Sequence, residues 1–436
     1  MNNLIYGIKE IPKKWYEWIT YPIQMLLAIF VATVLIINIC GTPIATGLLG
    51  ACVGTLTYEI ITRFKSPMFI SNAGATVSAV IGGLALGGGE NYIAVAIGGV
   101  ILFLVYLAFA LIIKFGGKKV FDRIFPPAIV GAVTIVIGLN LAGFIPSYLG
   151  NFAASPIPLL VALFTMLMTA LTTHYAKGFW KTIGFLVGLL SGFILAIVLE
   201  VSGAYNFNIV NHLMPWSETN TVGWRWFNLD DFAFMKWANS PFEWGQLPDI
   251  ILLFLPVSIC AALEHYSDHK VLSNILGTDL TQDPGLHRTL IADGCASAIG
   301  TIVCGQPNTS YGESIATIGF SSVGSVWMTL IAALLIGIMG FIGPVIGFIN
   351  AIPSAVFAGC AMILYGYIAS SGLKTLINNR VNLEDNKNLI IVSVILTVGV
   401  SGIFLFSKSF KGVSLAMVLG VILNLILFRG KKNEVE

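Results

Sequence analysis

The chain has 436 residues, of which 56% are apolar and only 10% charged. Soluble domains carry about 25% charged residues, so this composition excludes a soluble globular protein. The near-neutral balance of +2 offers neither a basic face for nucleic acid nor an acidic tail. Six scattered cysteines (Cys40, Cys52, Cys260, Cys295, Cys304 and Cys360) form no CxxC pair. They read as small buried hydrophobes, not as metal ligands or disulfides. Lys9, Lys13 and Lys14 precede the first apolar run, but that run is as long as a full span and no small-residue cleavage site stands out. No signal peptide is expected.

A spanning helix needs about 20 mostly apolar residues. Fourteen segments qualify in chain order: 20–40, 43–63, 68–87, 91–114, 125–145, 156–176, 180–200, 249–273, 287–304, 308–322, 325–349, 353–376, 388–406 and 410–428. The third and tenth are unusual, being rich in Gly, Ser, Thr and Asn, and 308–322 is too short to cross as a simple helix. With the N-terminus inside, 19 of the 23 basic residues fall on the cytoplasmic side, against Arg225, Lys236, Lys408 and Lys411 outside. That split obeys the positive-inside rule. It predicts a multi-pass protein of the plasma membrane (the inner membrane of a bacterium) with both termini cytoplasmic. The longest connection, 201–248, falls outside and holds Trp216, Trp224, Trp226, Trp237 and Trp244, which suits an ordered interfacial loop.

Residues 125–142 and 352–369 resemble each other at an offset of 227, with Pro126 matching Pro353, Ala128 matching Ala355 and Ala142 matching Ala369. The expected fold is therefore all-α, with fourteen transmembrane segments in two inverted seven-span repeats. Residues 1–19 form the cytoplasmic N-terminus, 20–200 the first repeat, 201–248 the extracellular loop, 249–428 the second repeat and 429–436 the cytoplasmic tail. Spans three and ten occupy equivalent positions, and each begins with a proline (Pro67, Pro307) followed by small polar residues. Broken helices at midplane are where secondary transporters bind their cargo, with half-helix N-termini offering free N–H groups.

Carboxylates are the other signal. A charged side chain at the bilayer centre costs about 2.5–3.5 kcal/mol on the lenient insertion scale. Glu264 and Asp268 sit one helical turn apart at the end of one apolar run, and Glu313 follows Tyr311-Gly312 in another. Two carboxylates on one helix face in a poorly solvated site are not both charged at neutral pH. Glu264 is expected to bind substrate in its protonated form, with Asp268 tuning it. Asp268 has a second reading, as a helix-end cap or a partner of Lys270 or His269 near the surface. Asp293 either contacts polar groups of span eight or sits near the inner surface, with a structural part favoured; His265 reads as a packing histidine in preference to a proton relay, and Glu59 as a surface partner of Arg63 four residues on.

Glu264-His265-Tyr266-Ser267-Asp268-His269, Asp283-Pro284-Gly285-Leu286-His287-Arg288 and Pro307-Asn308-Thr309-Ser310-Tyr311-Gly312-Glu313 together resemble the nucleobase–ascorbate transporter family, and within it the bacterial uracil permeases. Phe125-Pro126-Pro127 and Leu364-Tyr365-Gly366 are similar to the same family's spans five and twelve. The resemblance covers nearly the whole chain. It implies a core domain (spans 1–4 and 8–11), a gate domain (spans 5–7 and 12–14), a homodimer and proton-coupled import of a nucleobase such as uracil by alternating access. It further implies that Glu264 and Glu313 hold the base, that the backbone at Phe69 and Tyr311-Gly312 assists, and that Tyr365 approaches from the gate side. Asn308 has a positional claim as a supporting residue. Where the family signature after the second glutamate has Asn, Gly, Thr and a basic residue or Gly, this chain has Ser314, Ala316, Ser321 and Ser322.

Alternatives are a xanthine, urate or other purine symporter, or an anion transporter of similar fold, whose cargo Glu264 and Glu313 would repel. No Ser-His-Asp, HExxH or phosphate-cradling motif supports an enzyme. No cofactor or metal is expected; a proton is the coupling ion, although oxygen-rich broken helices also suit Na⁺.

Overall fold

The computed structural model describes residues 4–88, 90–116, 123–150, 155–209, 240–405 and 407–430. Its principal elements are α1 (Glu17–Cys40), α2 (Ile44–Thr62), β1 (Ile70–Asn72), α3 (Val77–Ala85), α4 (Tyr92–Leu111), α5 (Pro127–Ala142), α6 (Ile157–Tyr175) and α7 (Gly184–Val201). The second part of the chain contributes α8 (Leu247–Leu276), α9 (Leu286–Ile302), β2 (Asn308–Ser310), α10 (Gly312–Ser321), α11 (Val326–Met339), α12 (Gly343–Ala351), α13 (Ser354–Asn378), α14 (Asn386–Ser401) and α15 (Val413–Gly430).

Eight helices among the described residues are long and apolar enough to cross a membrane: α1, α2, α4 to α8, and α13. A ninth arises if α11 and α12, bent by 82°, count as one span. The other expected segments are shorter or broken. Gly340 and Gly343-Pro344 interrupt the 325–349 segment, because glycine and proline end helices cheaply. Segments 68–87 and 308–322 each consist of a short strand followed by a short helix. Of the expected 201–248 loop, residues 210–239, with Trp216, Trp224, Trp226 and Trp237, lie outside the described residues; so do residues 431–436 of the tail.

Helix α4 packs on α8 and α9, α9 on α2, and α11 on α1 and α2; α5 packs on α13 and α14, and α6 on α7 and α13. Proline precedes the first turn of both α5 and α13, with Pro126 at φ −65°, ψ 156° and Pro353 at φ −61°, ψ 143°. Its fixed φ suits a position where no helical N–H bond is lost. The α5–α13 contact is backbone-close. A Cβ on Gly138 would lie 2.5 Å from the Ala369 nitrogen, and one on Gly372 would lie 2.5 Å from the Gly131 oxygen. Backbone cannot give way as a side chain can, so Gly138→Leu is expected to destabilise the protein by about 1–3 kcal/mol. A lowered unfolding midpoint of the purified variant checks this.

Strands β1 and β2 pair antiparallel, Ile70 opposite Ser310 and Asn72 opposite Asn308. Tyr311 N–H donates to the Phe69 carbonyl at 3.1 Å, and Ala73 N–H to Pro307 at 2.8 Å. Each extended segment thus satisfies the other's backbone, the condition for non-helical chain at membrane depth. Thr55 of α2 adds a clamp, its hydroxyl bonding both the carbonyl and the N–H of Ile70 at 2.7 and 3.1 Å.

Glu59 is not a surface partner of Arg63. It is fully buried, while Arg63 is an exposed C-cap at φ 58°. The left-handed turn that ends α2 takes Arg63 out of the helical register that the four-residue spacing assumes.

Candidate functional site

The site forms where α8, the paired strands, α5 and α13 meet. Glu264 and Asp268 project from one face of α8 into a cavity of about 400 Å³, together with Gly312, Glu313 and Thr317 of α10. Ile368, Ser371 and Thr375 supply part of the opposite wall from α13. A smaller pocket of about 70 Å³ shares Glu264, Gly312 and Glu313 with this cavity and is capped by Gly74, Ala75 and Tyr311. The 3₁₀ turn Gly74–Thr76 that leads into α3 and the first turn of α10 at Gly312 therefore border one pocket, where their free N–H groups favour an acceptor.

Why the chain folds this way locally follows from residue type. Pro307 and the β-branched Thr309 favour extended backbone, and Gly312 lets α10 begin where any larger residue would intrude on the pocket. Glu313 occupies the first turn of α10, where a carboxylate is favoured by the helix dipole. Ser310 Oγ donates to Asp268 Oδ2 at 2.7 Å. Asp268 thus lines the cavity from within α8, eight residues before that helix ends at Leu276. Lys181 lines the mouth, its ammonium 5.1 Å from the centroid of the Phe320 ring. Three carboxylates and one ammonium face the space, so it is an acidic cavity. Among the described residues no cluster of three or more His, Cys, Asp or Glu could hold a metal ion.

Of the residues singled out in the sequence, Glu264, Asp268, Gly312 and Glu313 line the main cavity, and Tyr311 lines the smaller pocket. Three others are elsewhere. Phe69 is fully buried and reaches the site only through its carbonyl, which holds Tyr311 N–H. Tyr365 is buried beside Tyr148, off the cavity wall. On α13 the cavity face runs Leu364, Ile368, Ser371 and Thr375, so Tyr365 is rotated by about 100° from it. Asn308 faces the helices, not the cavity: its amide donates to the carbonyls of Gly50 at 2.9 Å and Ala296 at 3.1 Å. Asn308→Leu is expected to remove two buried side-chain hydrogen bonds to helix carbonyls and to cost about 1–3 kcal/mol, seen as a lower unfolding midpoint with ligand affinity changed little in the folded fraction.

Sequence reasoning missed Ser310, Thr317 and Ser371, because small hydroxyl residues are common helix-packing groups in membranes. Ser310 could have been found from its position two residues before Gly312, in the extended segment that faces α8. The four signature departures separate cleanly. Only Ala316 lines the cavity; Ser314 Oγ donates to the Tyr311 carbonyl at 2.7 Å, and Ser321 and Ser322 close the far end of α10.

The profile of the Permease family (the xanthine and uracil permeases) matches residues 16–408. The chain belongs to this family, that of the nucleobase–ascorbate transporters. It is 35% identical to a protein named uracil permease from Bacillus caldolyticus over 435 residues, covering 98% of this chain and 95% of that one. It is 33% identical to the uracil permease of Bacillus subtilis, covering 99% and 97%. Among solved structures it resembles the transmembrane domain of the cyanobacterial bicarbonate transporter BicA, with a TM-score of 0.64 over 96% of this chain and 98% of that one. At 16% identity that likeness is one of fold. The permease is an integral, multi-pass membrane protein.

Proposed function

We propose that this permease is a secondary transporter, not an enzyme, which imports uracil together with protons by alternating access. The observation that carries the reading is the convergence of Glu264 and Glu313 on one small pocket at the tips of two paired, broken segments. Uracil is a flat ring with two N–H donors and two carbonyl acceptors. Glu313 accepts from ring N–H groups, and the N-terminal turns at Gly74 and Gly312 donate to the carbonyls. Glu264 binds the same ring while protonated and releases proton and base together when the site faces the cytoplasm. Asp268, held by Ser310, adjusts how readily Glu264 takes its proton. Phe69 and Asn308 support the site through backbone and packing, and Tyr365 approaches only if α13 moves. Na⁺ in place of H⁺ is the alternative coupling ion.

The proposed architecture is two inverted halves divided into core and gate. Support comes from the proline-led helices α5 and α13, and from β1 and β2, which the two halves contribute to one sheet. It comes also from helix packing, in which α1, α2, α4, α8, α9 and α11 keep largely to one another, as do α5, α6, α7, α13, α14 and α15. The 19-to-4 split of basic residues supports cytoplasmic termini, and the family resemblance supports a homodimer in the plasma membrane.

Ala316 bears on substrate choice. A methyl on the cavity wall, where the family signature has glycine, narrows the space and favours a single-ring pyrimidine over a purine. Thermal stability of the purified protein tests this. Uracil binds only the folded state and is expected to raise the unfolding midpoint, whereas xanthine and bicarbonate leave it unchanged. A midpoint that rises with xanthine and not with uracil would move the assignment to a purine carrier.

A further inference from the structure

Two buried histidines stand directly behind the proposed carboxylate site, and neither has a part in the transport reading above. His265 and His269 are both fully buried. They follow Glu264 and Asp268 by one residue each, so they lie about 100° round α8 from the cavity face. Their rings are 4.1 Å apart, centroid to centroid.

Each histidine reaches a different broken segment. Nδ1 of His265 lies 2.6 Å from Oδ2 of Asp293 on α9. That same oxygen accepts from Thr309 Oγ1 of β2 at 3.4 Å. Ser310 in turn holds Asp268, which closes a ring from α8 through α9 and β2 back to α8. His269 faces the other way. Its Nδ1–H donates to the His265 carbonyl at 3.2 Å, which leaves Nε2 as an acceptor for the Tyr58 hydroxyl at 2.8 Å. Ser66 Oγ lies 2.9 Å from that hydroxyl and 3.3 Å from Nε2. Ser66 opens the Ser66-Pro67-Met68 run that leads into β1.

Buried polar groups are costly away from water, so the close approach of His265 to Asp293 and the hydrogen bonds of His269 favour one placement of α8 against the broken segments. We propose that His265 and His269 are positioning residues that tie the carboxylate-bearing helix to both broken segments, His265 through Asp293 to β2 and His269 through Tyr58 and Ser66 to the lead into β1. Glu264 and Asp268 on α8 are thereby kept in fixed register with Glu313, which β2 delivers. The significance of that register for uracil rests on the proposed function; the tether itself does not. Thr55 holds β1 independently, so loss of His269 loosens the segment without unfolding it.

Hydrogen–deuterium exchange on the full-length protein in lipid nanodiscs tests the tether without any substrate. In His265→Ala, amides of 308–312 are expected to exchange at least tenfold faster while 66–72 keep the native rate. In His269→Ala the pattern reverses. His265→Asn returns a donor near Nδ1 and His269→Gln an acceptor near Nε2, and both are expected to restore protection. Tyr58→Phe, which removes only a hydroxyl, is expected to reproduce the His269→Ala pattern even if that variant expresses poorly. In uptake assays the alanine variants are expected to raise the uracil KM at least fivefold with kcat nearly unchanged. Unchanged exchange in both segments, or Asn and Gln variants no better protected than alanine, overturns the proposal. Failure of wild-type uracil uptake would overturn the substrate reading and leave the exchange result to decide the tether.

Discussion

Glu313→Ala is expected to weaken uracil binding on the order of 100-fold while leaving the protein folded. Hydrogen bonds to a charged group contribute about 1.5–3 kcal/mol, and each 1.4 kcal/mol is tenfold in affinity. Glu313 sits in the first turn of α10 and lines both the cavity and the smaller pocket, so its removal opens space toward solvent and leaves no core void. Ring N–H groups of the bound base would then face no acceptor, and sites matched to a ligand's polar edge lose most when one partner is missing. Glu313→Gln is the sharper comparison, since it keeps the shape but offers one acceptor and turns an N–H₂ toward the ring. Calorimetric titration of both variants checks the ranking, with wild type tightest and alanine within about threefold of glutamine. Affinity retained in Glu313→Ala would remove this residue from the site.

Glu264→Gln is expected to separate binding from proton coupling. Glu264 and Asp268 share a helix face about 6 Å apart, where two unit charges at an effective dielectric of about 20 repel by about 3 kcal/mol. That repulsion is the basis for proposing that Glu264 carries a proton when the site is loaded. Glutamine mimics the protonated form of Glu264 permanently. Uptake driven by the uracil gradient alone is expected to persist, and its stimulation by an acidic exterior to disappear. Under the proposed coupling, wild-type uptake is expected to rise as the outside pH falls, because the loaded state would require the proton. Asp268→Asn is expected to shift the pH at which uptake is half-maximal without abolishing the dependence, since Ser310 can still bond the amide. Measuring initial uptake rates from pH 5 to 8 distinguishes the two variants.

How far the sequence reached can be judged residue by residue. The apolar runs overlap each of the eight helices that are long and apolar enough to span among the described residues, though they also suggested fourteen spans; Pro67 and Pro307 marked the two segments that turn extended. Composition could not say that these breaks pair with each other, because the register of Ile70 on Ser310 joins residues 240 positions apart. Glu264 and Glu313 were legible since carboxylates in apolar runs are rare. Tyr365 was misplaced because family likeness assigns a position along a helix, whereas its rotation about the axis depends on packing against α5. Depth was equally hidden for Glu59 and Asp268: four-residue spacing predicts a shared face but not whether that face meets water. His265 looked like a packing residue because its neighbour Asp293 comes from another helix, and the partners of His269, Tyr58 and Ser66, lie about 200 residues away in the chain.

Uptake of radiolabelled uracil into proteoliposomes, with and without an inward proton gradient, tests proton-coupled uracil import most directly. With one proton per base, a gradient of one pH unit supplies about 1.4 kcal/mol and is expected to drive about tenfold accumulation above the external concentration. Unlabelled 5-fluorouracil is expected to compete and xanthine not to. Absence of uracil uptake, or uptake that never exceeds equilibration whatever the gradient, would contradict proton-coupled uracil import.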